Sequence, residues 1–118
     1  MITRISVLAV LACMAAVVAA ADRNALSGTY RIGGATLIDP PTDEAPNTHL
    51  YVELTGAAAR DLYESMAVAP KPDLCTGPGS RVKTVGEMQC TRYASGQRFR
   101  CAFGIDLRKQ TVTRGIVC

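Results

Sequence analysis

The sequence predicts an α+β fold in which one α-helix packs on an antiparallel sheet of four to five strands, stapled by disulfides. Three observations lead to this class. Residues 49–54 alternate strictly between apolar and polar, residues 56–68 carry apolar side chains at helical spacing, and residues 98–107 alternate again. The order that follows is strand, helix, and then a three-strand meander.

The first 21 residues have the three parts of a secretory signal peptide. Arg4 is a short basic region, the apolar run Ile5–Val18 follows it, and Ala19-Ala20-Ala21 supplies the small residues at which a signal peptidase cuts. We therefore expect cleavage near Ala21 and a periplasmic or secreted bacterial protein. The run is too alanine-rich for a helix of about 20 strongly apolar residues, so no transmembrane segment is expected after cleavage.

Cys13 leaves an alternative open for the N-terminus. Val10-Leu11-Ala12-Cys13 is a loose lipobox, in which Cys13 would be lipidated and retained. The apolar run continues past this cysteine, whereas a lipoprotein signal normally ends there. Cleavage near Ala21 is therefore the favoured prediction.

After the signal peptide, the chain divides into two parts. Residues 22–48 are predicted to be loosely ordered, with room for a first strand over Thr29–Asp39 broken at Gly33-Gly34. Three prolines make Pro40–Asn47 a loop, because proline cannot donate a backbone hydrogen bond. Residues 49–118 are predicted to form the disulfide-bonded α+β domain.

The predicted helix follows the strand at residues 49–54 directly. Thr55 is placed as the N-cap, and the helix is expected over Gly56–Val68, before Pro70 and Pro72. Its apolar stripe is Ala58, Ala59, Leu62 and Met66. The stripe is expected to cover the sheet face bearing Leu50, Val52, Phe103 and Ile105.

The last third of the chain is predicted to form the meander. Lys71–Ser80 is expected to be a loop, and the three strands are placed at Val82–Arg92, Arg98–Leu107 and Thr111–Cys118. Phe99, Cys101, Phe103, Ile105 and Leu107 share the inner face of the second strand.

Four cysteines follow the signal peptide, and an even count in a small exported domain predicts two disulfides. No closely spaced cysteine pair is present, which disfavours a zinc site. A hairpin centred on Ser95-Gly96 places Cys90 opposite Cys101, leaving Cys75 to pair with Cys118. A rival connectivity, Cys75–Cys90 with Cys101–Cys118, stays open.

The sequence offers no catalytic, metal or cofactor motif. His49, the one histidine, is predicted to be a surface or half-covered side chain on the polar face of its strand. Asp43-Glu44 lies in a proline-rich loop, where solvated carboxylates are expected rather than an acid–base pair. Gly77-Pro78-Gly79 precedes no helix and so fails as a phosphate loop.

Charge is mildly basic and unevenly placed. Thirteen basic and ten acidic residues are present, and only Arg4 precedes residue 22, so the remaining chain carries about +2. That value is too small to predict a nucleic-acid partner. The predicted meander collects the possible binding residues Lys83, Arg98, Arg100, Arg108 and Lys109. Such a surface suits an acidic protein or an anionic envelope component. Solvated charges that protect a sheet face against edge aggregation are the favoured explanation, because the net charge is mild.

Together these features predict a small exported protein that acts without catalysis by binding another macromolecule. The most concrete version is an inhibitor or immunity-type protein against a cell-wall-degrading enzyme. The alternatives are a structural or surface-attachment component of the bacterial envelope, held by a lipid at Cys13, and a small hydrolase that uses His49. The partner and the oligomeric state do not follow from the sequence.

Overall fold

A computed structural model describes residues 22–117 of the chain. Over these residues the fold is α+β, with one helix on an antiparallel sheet, but the sheet has seven strands rather than four or five. The elements in chain order are β1 (Gly28–Gly33), β2 (His49–Thr55), α1 (Gly56–Ser65), β3 (Lys71–Pro72), β4 (Arg81–Val85), β5 (Met88–Arg92), β6 (Phe99–Asp106) and β7 (Thr111–Thr113).

The strands lie in the order β1-β2-β6-β5-β4-β3, with β7 paired to β6. Strand β2 occupies one edge of β6 along residues 100–106. On the other edge, β5 pairs with residues 99–102 and β7 with residues 104–106. The longest strand therefore holds three neighbours and forms the centre of the sheet.

The predicted single strand Val82–Arg92 is wrong, because this segment is a hairpin of β4 and β5. Val85 pairs with Met88 across a two-residue turn, and Gly86 at its first position has φ +58°. A type II′ turn requires such a glycine. The turn changes which side chains share a face, so Lys83 lies directly opposite Cys90.

Three other boundaries differ from the sequence prediction. Strand β3 falls within the expected loop, where its Pro72 is tolerated because it sits in a two-residue strand at the sheet edge. The first strand ends at Gly33 instead of continuing to Asp39. The last strand ends at Thr113.

Helix α1 begins at Gly56 as predicted and ends at Ser65, three residues before the predicted end. Met66 turns into extended backbone while its N–H still donates to the carbonyls of Leu62 and Tyr63. Thr55 occupies the N-cap position but makes no capping bond. Its hydroxyl lies 3.2 Å from that of Ser27 instead.

The core lies between α1 and the strands β2, β5 and β6. Ala59 and Tyr63 of the helix are buried, as is Met66 directly after it, and the three follow one another at i, i+4 and i+7. They pack against Leu54, Phe99 and the disulfide Cys90–Cys101. Tyr63 was not in the predicted stripe, and the predicted residues Ala58 and Leu62 are only partly buried. The helix covers the correct side of the sheet, but near residues 99–101 rather than near residues 103–105.

The predicted disulfide between Cys90 and Cys101 is present, and its two residues are directly opposite with Cα atoms 4.0 Å apart. The rival connectivity is wrong because these two cysteines bond to each other. Cys75 is also disulfide-bonded. Its predicted partner, Cys118, lies outside the described residues, so the second bridge stays a prediction.

Candidate functional site

The sheet has a helix side and an opposite side, and the helix side is only partly covered. A ten-residue helix is about 15 Å long. Seven strands spaced about 4.8 Å apart make a much wider surface. Among residues 22–117, no element therefore covers the part of the helix side farthest from Phe99.

The uncovered part is a continuous apolar surface, which we call the open face. Cross-strand pairing builds it from two rows, Ile32–Leu50–Ile105–Val112 over β1, β2, β6 and β7, and Tyr30–Val52–Phe103 over β1, β2 and β6. Tyr30 is 75% exposed, Val112 57% and Ile32 48%, and the other four side chains are half-buried. Of these four, Val52 also packs against the core and marks the margin of the open face. A depression of about 410 Å³ lies beside Leu26 at the β1 end of the open face.

The opposite side of the sheet is covered by the loop after β1 and by residues 114–117. Tyr51 is buried here, and its hydroxyl donates to the Gly34 carbonyl at 2.6 Å while Arg31 stacks over its ring at 4.4 Å. Burial raises the pKa of Tyr51, an effect that the Arg31 charge opposes. Glu44 holds the loop by accepting from the Thr36 N–H at 2.9 Å. This carboxylate therefore has a structural role.

The expected surface position of His49 is wrong, because its side chain is buried on this opposite side. Nδ1 lies 2.7 Å from the Thr48 hydroxyl, and Nε2 lies 3.6 Å from the Asp106 carboxylate. The pKa of Asp106 is lowered, first by the Lys109 N–H, then by the Arg108 N–H and by the charge of His49. Thr48 is buried as well, and this triplet ties β2 to the β6–β7 turn.

The five predicted basic residues do not form one surface. Lys83 is on the helix side, contrary to the prediction, because the turn at Gly86 places it opposite Cys90. Arg100 pairs with Glu53 at 2.9 Å, and Arg98 stacks over Tyr93 at 4.5 Å. Arg108 and Lys109 are exposed in the turn between β6 and β7. Only these last two stand close to the open face, since Ile105 and Val112 flank their turn.

A second concavity lies on the opposite side of the sheet. It encloses about 330 Å³ between the Leu37-Ile38 loop and residues 116–117. Its floor contains Arg31, Arg100 and Glu53. The Glu53 carboxylate pairs with Arg100, while Arg31 stacks over the Tyr51 ring. Within residues 22–117, no group of three or more His, Cys, Asp or Glu side chains could hold a metal ion. The same range contains no helix long and apolar enough to cross a membrane.

The fold and site define a small disulfide-bonded α+β protein with an apolar sheet face open to contact. No protein-family model, curated protein or solved structure shows significant similarity to this chain.

The open face was missed at the sequence level, although part of its signal is readable. The alternation in β2 and β6 places Leu50, Val52, Phe103 and Ile105 on one face. The predicted helix was expected to cover these four side chains, but α1 packs nearer to Phe99 and Cys101. The contributions of Tyr30, Ile32 and Val112 depend on strand pairing, which the sequence pattern does not specify.

Proposed function

We propose that this chain is an exported, non-enzymatic binding module whose open face docks on another protein. One observation carries the proposal: two aligned apolar rows cross up to four strands and leave Tyr30, Ile32 and Val112 largely exposed. Contiguous apolar surfaces of this kind mark interaction sites in soluble proteins. The predicted signal peptide supports a periplasmic or secreted location, where the disulfide is stable.

The chemistry of the open face favours a protein partner over an anionic polymer. Its centre is apolar, so burial against another apolar surface supplies the free energy, about 1.5–3 kcal/mol for each fully buried large side chain. Arg108 and Lys109 stand at its margin and favour acidic groups on the rim of the partner. Of the other three predicted basic residues, Arg100 is paired, Arg98 is stacked and Lys83 is on the core side of the sheet.

The most specific form of the proposal is an inhibitor or immunity-type protein that binds a cell-wall-degrading enzyme. Predicted export and a disulfide-linked hairpin support this form, because a pre-organised surface loses little entropy on binding. Strand β6 carries both the disulfide and the centre of the open face. The surface is therefore fixed before the partner arrives.

A lysis assay tests this function. Purified peptidoglycan is incubated with periplasmic extract of the source cell, and the oxidised protein is expected to slow the fall in turbidity. Val112→Glu is expected to lose at least ten-fold in inhibitory potency, because it places a charge in the open face. Leu74→Glu is the matched control, since Leu74 is 94% exposed and lies away from the open face.

Two results would count against the proposal. If the protein leaves lysis unchanged and binds no wall hydrolase, the inhibitor function is wrong. If Val112→Glu inhibits as well as Leu74→Glu does, the open face is not the binding surface.

A lipid-anchored envelope component is the second candidate, and the motif ending at Cys13 favours it. The two candidates differ at the mature N-terminus. Mass spectrometry of protein from membrane and soluble fractions distinguishes a diacylated Cys13 from an unmodified residue near Asp22.

A further inference from the structure

Strand β1 is an edge strand, and within residues 22–117 it pairs only with β2. The Thr55 N–H donates to the Ser27 carbonyl at 3.0 Å, and the Leu107 N–H donates to the Thr48 carbonyl at 2.9 Å. In an antiparallel ladder the backbone groups of successive residues point to opposite neighbouring strands. The two bonds therefore show that odd-numbered residues of β2 hydrogen-bond to β1 and even-numbered ones to β6. On β1, Tyr30 and Ile32 therefore direct their backbone N–H and C=O groups away from β2.

This outer edge has little protection against pairing. Five of the six residues of β1 are exposed, and the strand contains no proline and only one charged side chain, Arg31. Natural edge strands are usually blocked by prolines, several charges or bulges. A row of free backbone donors and acceptors on an unblocked edge is a template for another strand.

We propose that β1 pairs with β1 of a second copy of this chain, antiparallel about a two-fold axis that passes beside Tyr30. In this arrangement Tyr30 lies opposite Tyr30 of the second copy, and Ile32 lies opposite Gly28. The outward backbone groups of Tyr30 and Ile32 then fall in hydrogen-bonded pairs, as the antiparallel ladder requires. The strand is thus complementary to itself, which is the condition for a two-fold interface.

Charge selects this register among the neighbouring ones. With Tyr30 opposite itself, Arg31 faces Thr29 of the second copy. If the two-fold axis moved to Arg31, the two Arg31 side chains would lie directly opposite each other, where like charges repel. If it moved to Thr29 instead, Ile32 would have no partner within β1 of the second copy. In the proposed register a second copy supplies uncharged residues opposite Tyr30, Ile32 and Arg31.

The proposed dimer would also enlarge the open face. A two-fold axis perpendicular to the sheet keeps both open faces on the same side, so the rows that begin at Tyr30 and Ile32 would continue into the second copy. This consequence rests on the proposed function, but the pairing itself does not. The lysis assay relies on Val112 of β7, whereas the dimer test relies on residues of β1. One proposal can therefore fail while the other holds.

The first test is sedimentation equilibrium of the oxidised protein over a range of micromolar concentrations. A concentration-dependent dimer is expected for the wild type. Tyr30→Pro removes the outward N–H and is expected to be monomeric, while its far-UV spectrum is unchanged because proline is tolerated where the N–H faces away from the sheet. Tyr30→Thr keeps the N–H and is the control, expected to dimerise within about three-fold of the wild-type dissociation constant.

The second test remains informative even if the proline variant fails to fold. Under mild oxidation Tyr30→Cys is expected to form a disulfide-linked dimer, because directly opposite Cα atoms in a bonded pair lie about 5.5 Å apart. Thr29→Cys is the matched control and is expected to cross-link poorly, since its two copies would be about 8 Å apart. A strictly monomeric wild type, a dimer that survives Tyr30→Pro, or equal cross-linking of the two cysteine variants would overturn the proposal.

Discussion

Lys83 holds the end of the helix: its Nζ lies 2.9 Å from the Tyr63 carbonyl oxygen, 3.2 Å from that of Met66 and 4.5 Å from the centre of the Tyr63 ring. The last carbonyls of a helix carry partial negative charge and lack partners within the helix. The ammonium group supplies both a donor and a positive charge. A residue predicted for the outer basic surface therefore fastens α1 to β4.

Replacing Lys83 is expected to lower the free energy of unfolding. Lys83→Met keeps most of the side-chain length but removes the charge and the two hydrogen bonds, at a cost of about 1–2 kcal/mol. Urea unfolding of the oxidised protein measures the change. Lys109→Met, at an exposed turn position, is expected to stay within about 0.5 kcal/mol of wild type. Equal effects at the two positions would contradict the helix-end role.

The Tyr63 hydroxyl gives a second prediction. It is buried and has no hydrogen-bond partner among residues 22–117. Because an unsatisfied buried polar group costs about 1–3 kcal/mol, Tyr63→Phe is expected to match or exceed wild-type stability. Tyr63→Leu is the comparison, expected to destabilise by loss of the ring contact with Phe99. A large loss of stability in Tyr63→Phe would show that the hydroxyl has a partner after all.

The disulfide is predicted to be a major source of stability. Cys90 and Cys101 are fully buried beneath α1, and the Cys101 sulfur lies 3.5 Å from the Ala59 carbonyl oxygen. Closing this short loop is worth about 3 kcal/mol in the chain-entropy treatment. The double variant Cys90→Ala/Cys101→Ala should lose about that much, a large share of the margin of so small a domain.

Thermal unfolding with and without reductant checks the disulfide prediction. Reductant should lower the midpoint of the wild type by more than that of the double variant. An equal response of the two proteins would mean that Cys90–Cys101 contributes little.

Asp73 predicts how stability depends on pH. Burial alone would raise the pKa of this carboxyl, but hydrogen bonds from the Thr76 hydroxyl, the Cys75 N–H and the Thr91 hydroxyl outweigh burial and lower it. As the pH falls, Asp73 is therefore protonated in the unfolded chain at a higher pH than in the folded protein. The stabilisation is complete above the unfolded value of about 3.9 and is lost as the pH falls through the lower folded value.

Asp73→Asn tests that dependence. The variant should be less stable than wild type at neutral pH by about 1–3 kcal/mol, and the gap should narrow below about pH 4. Chemical unfolding at a series of pH values measures it. Asp43→Asn, in an exposed part of the proline-rich loop, should follow the wild-type curve. If the difference in unfolding free energy between Asp73→Asn and the wild type did not change with pH, ionisation of the Asp73 carboxyl would not be its cause.

The sequence alone determined the elements whose signals are local. Alternation in residues 49–54 and 98–107 identified β2 and β6, and helical spacing with the following prolines located α1 within three residues. The hairpin around Ser95-Gly96 placed Cys90 opposite Cys101, because register about a turn follows from chain geometry. Each of these depends on neighbours in sequence.

Only the tertiary structure decided the rest. The pairing of β3 with β4, the split at Gly86 and the burial of His49 depend on residues far apart in sequence or on one backbone angle. The turn at Gly86 places Lys83 on the helix side instead of the predicted outer side, because successive side chains of a strand point to opposite faces. Which apolar residues stay open is set by how much sheet a short helix can cover, and that is a property of the assembled domain rather than of any local segment.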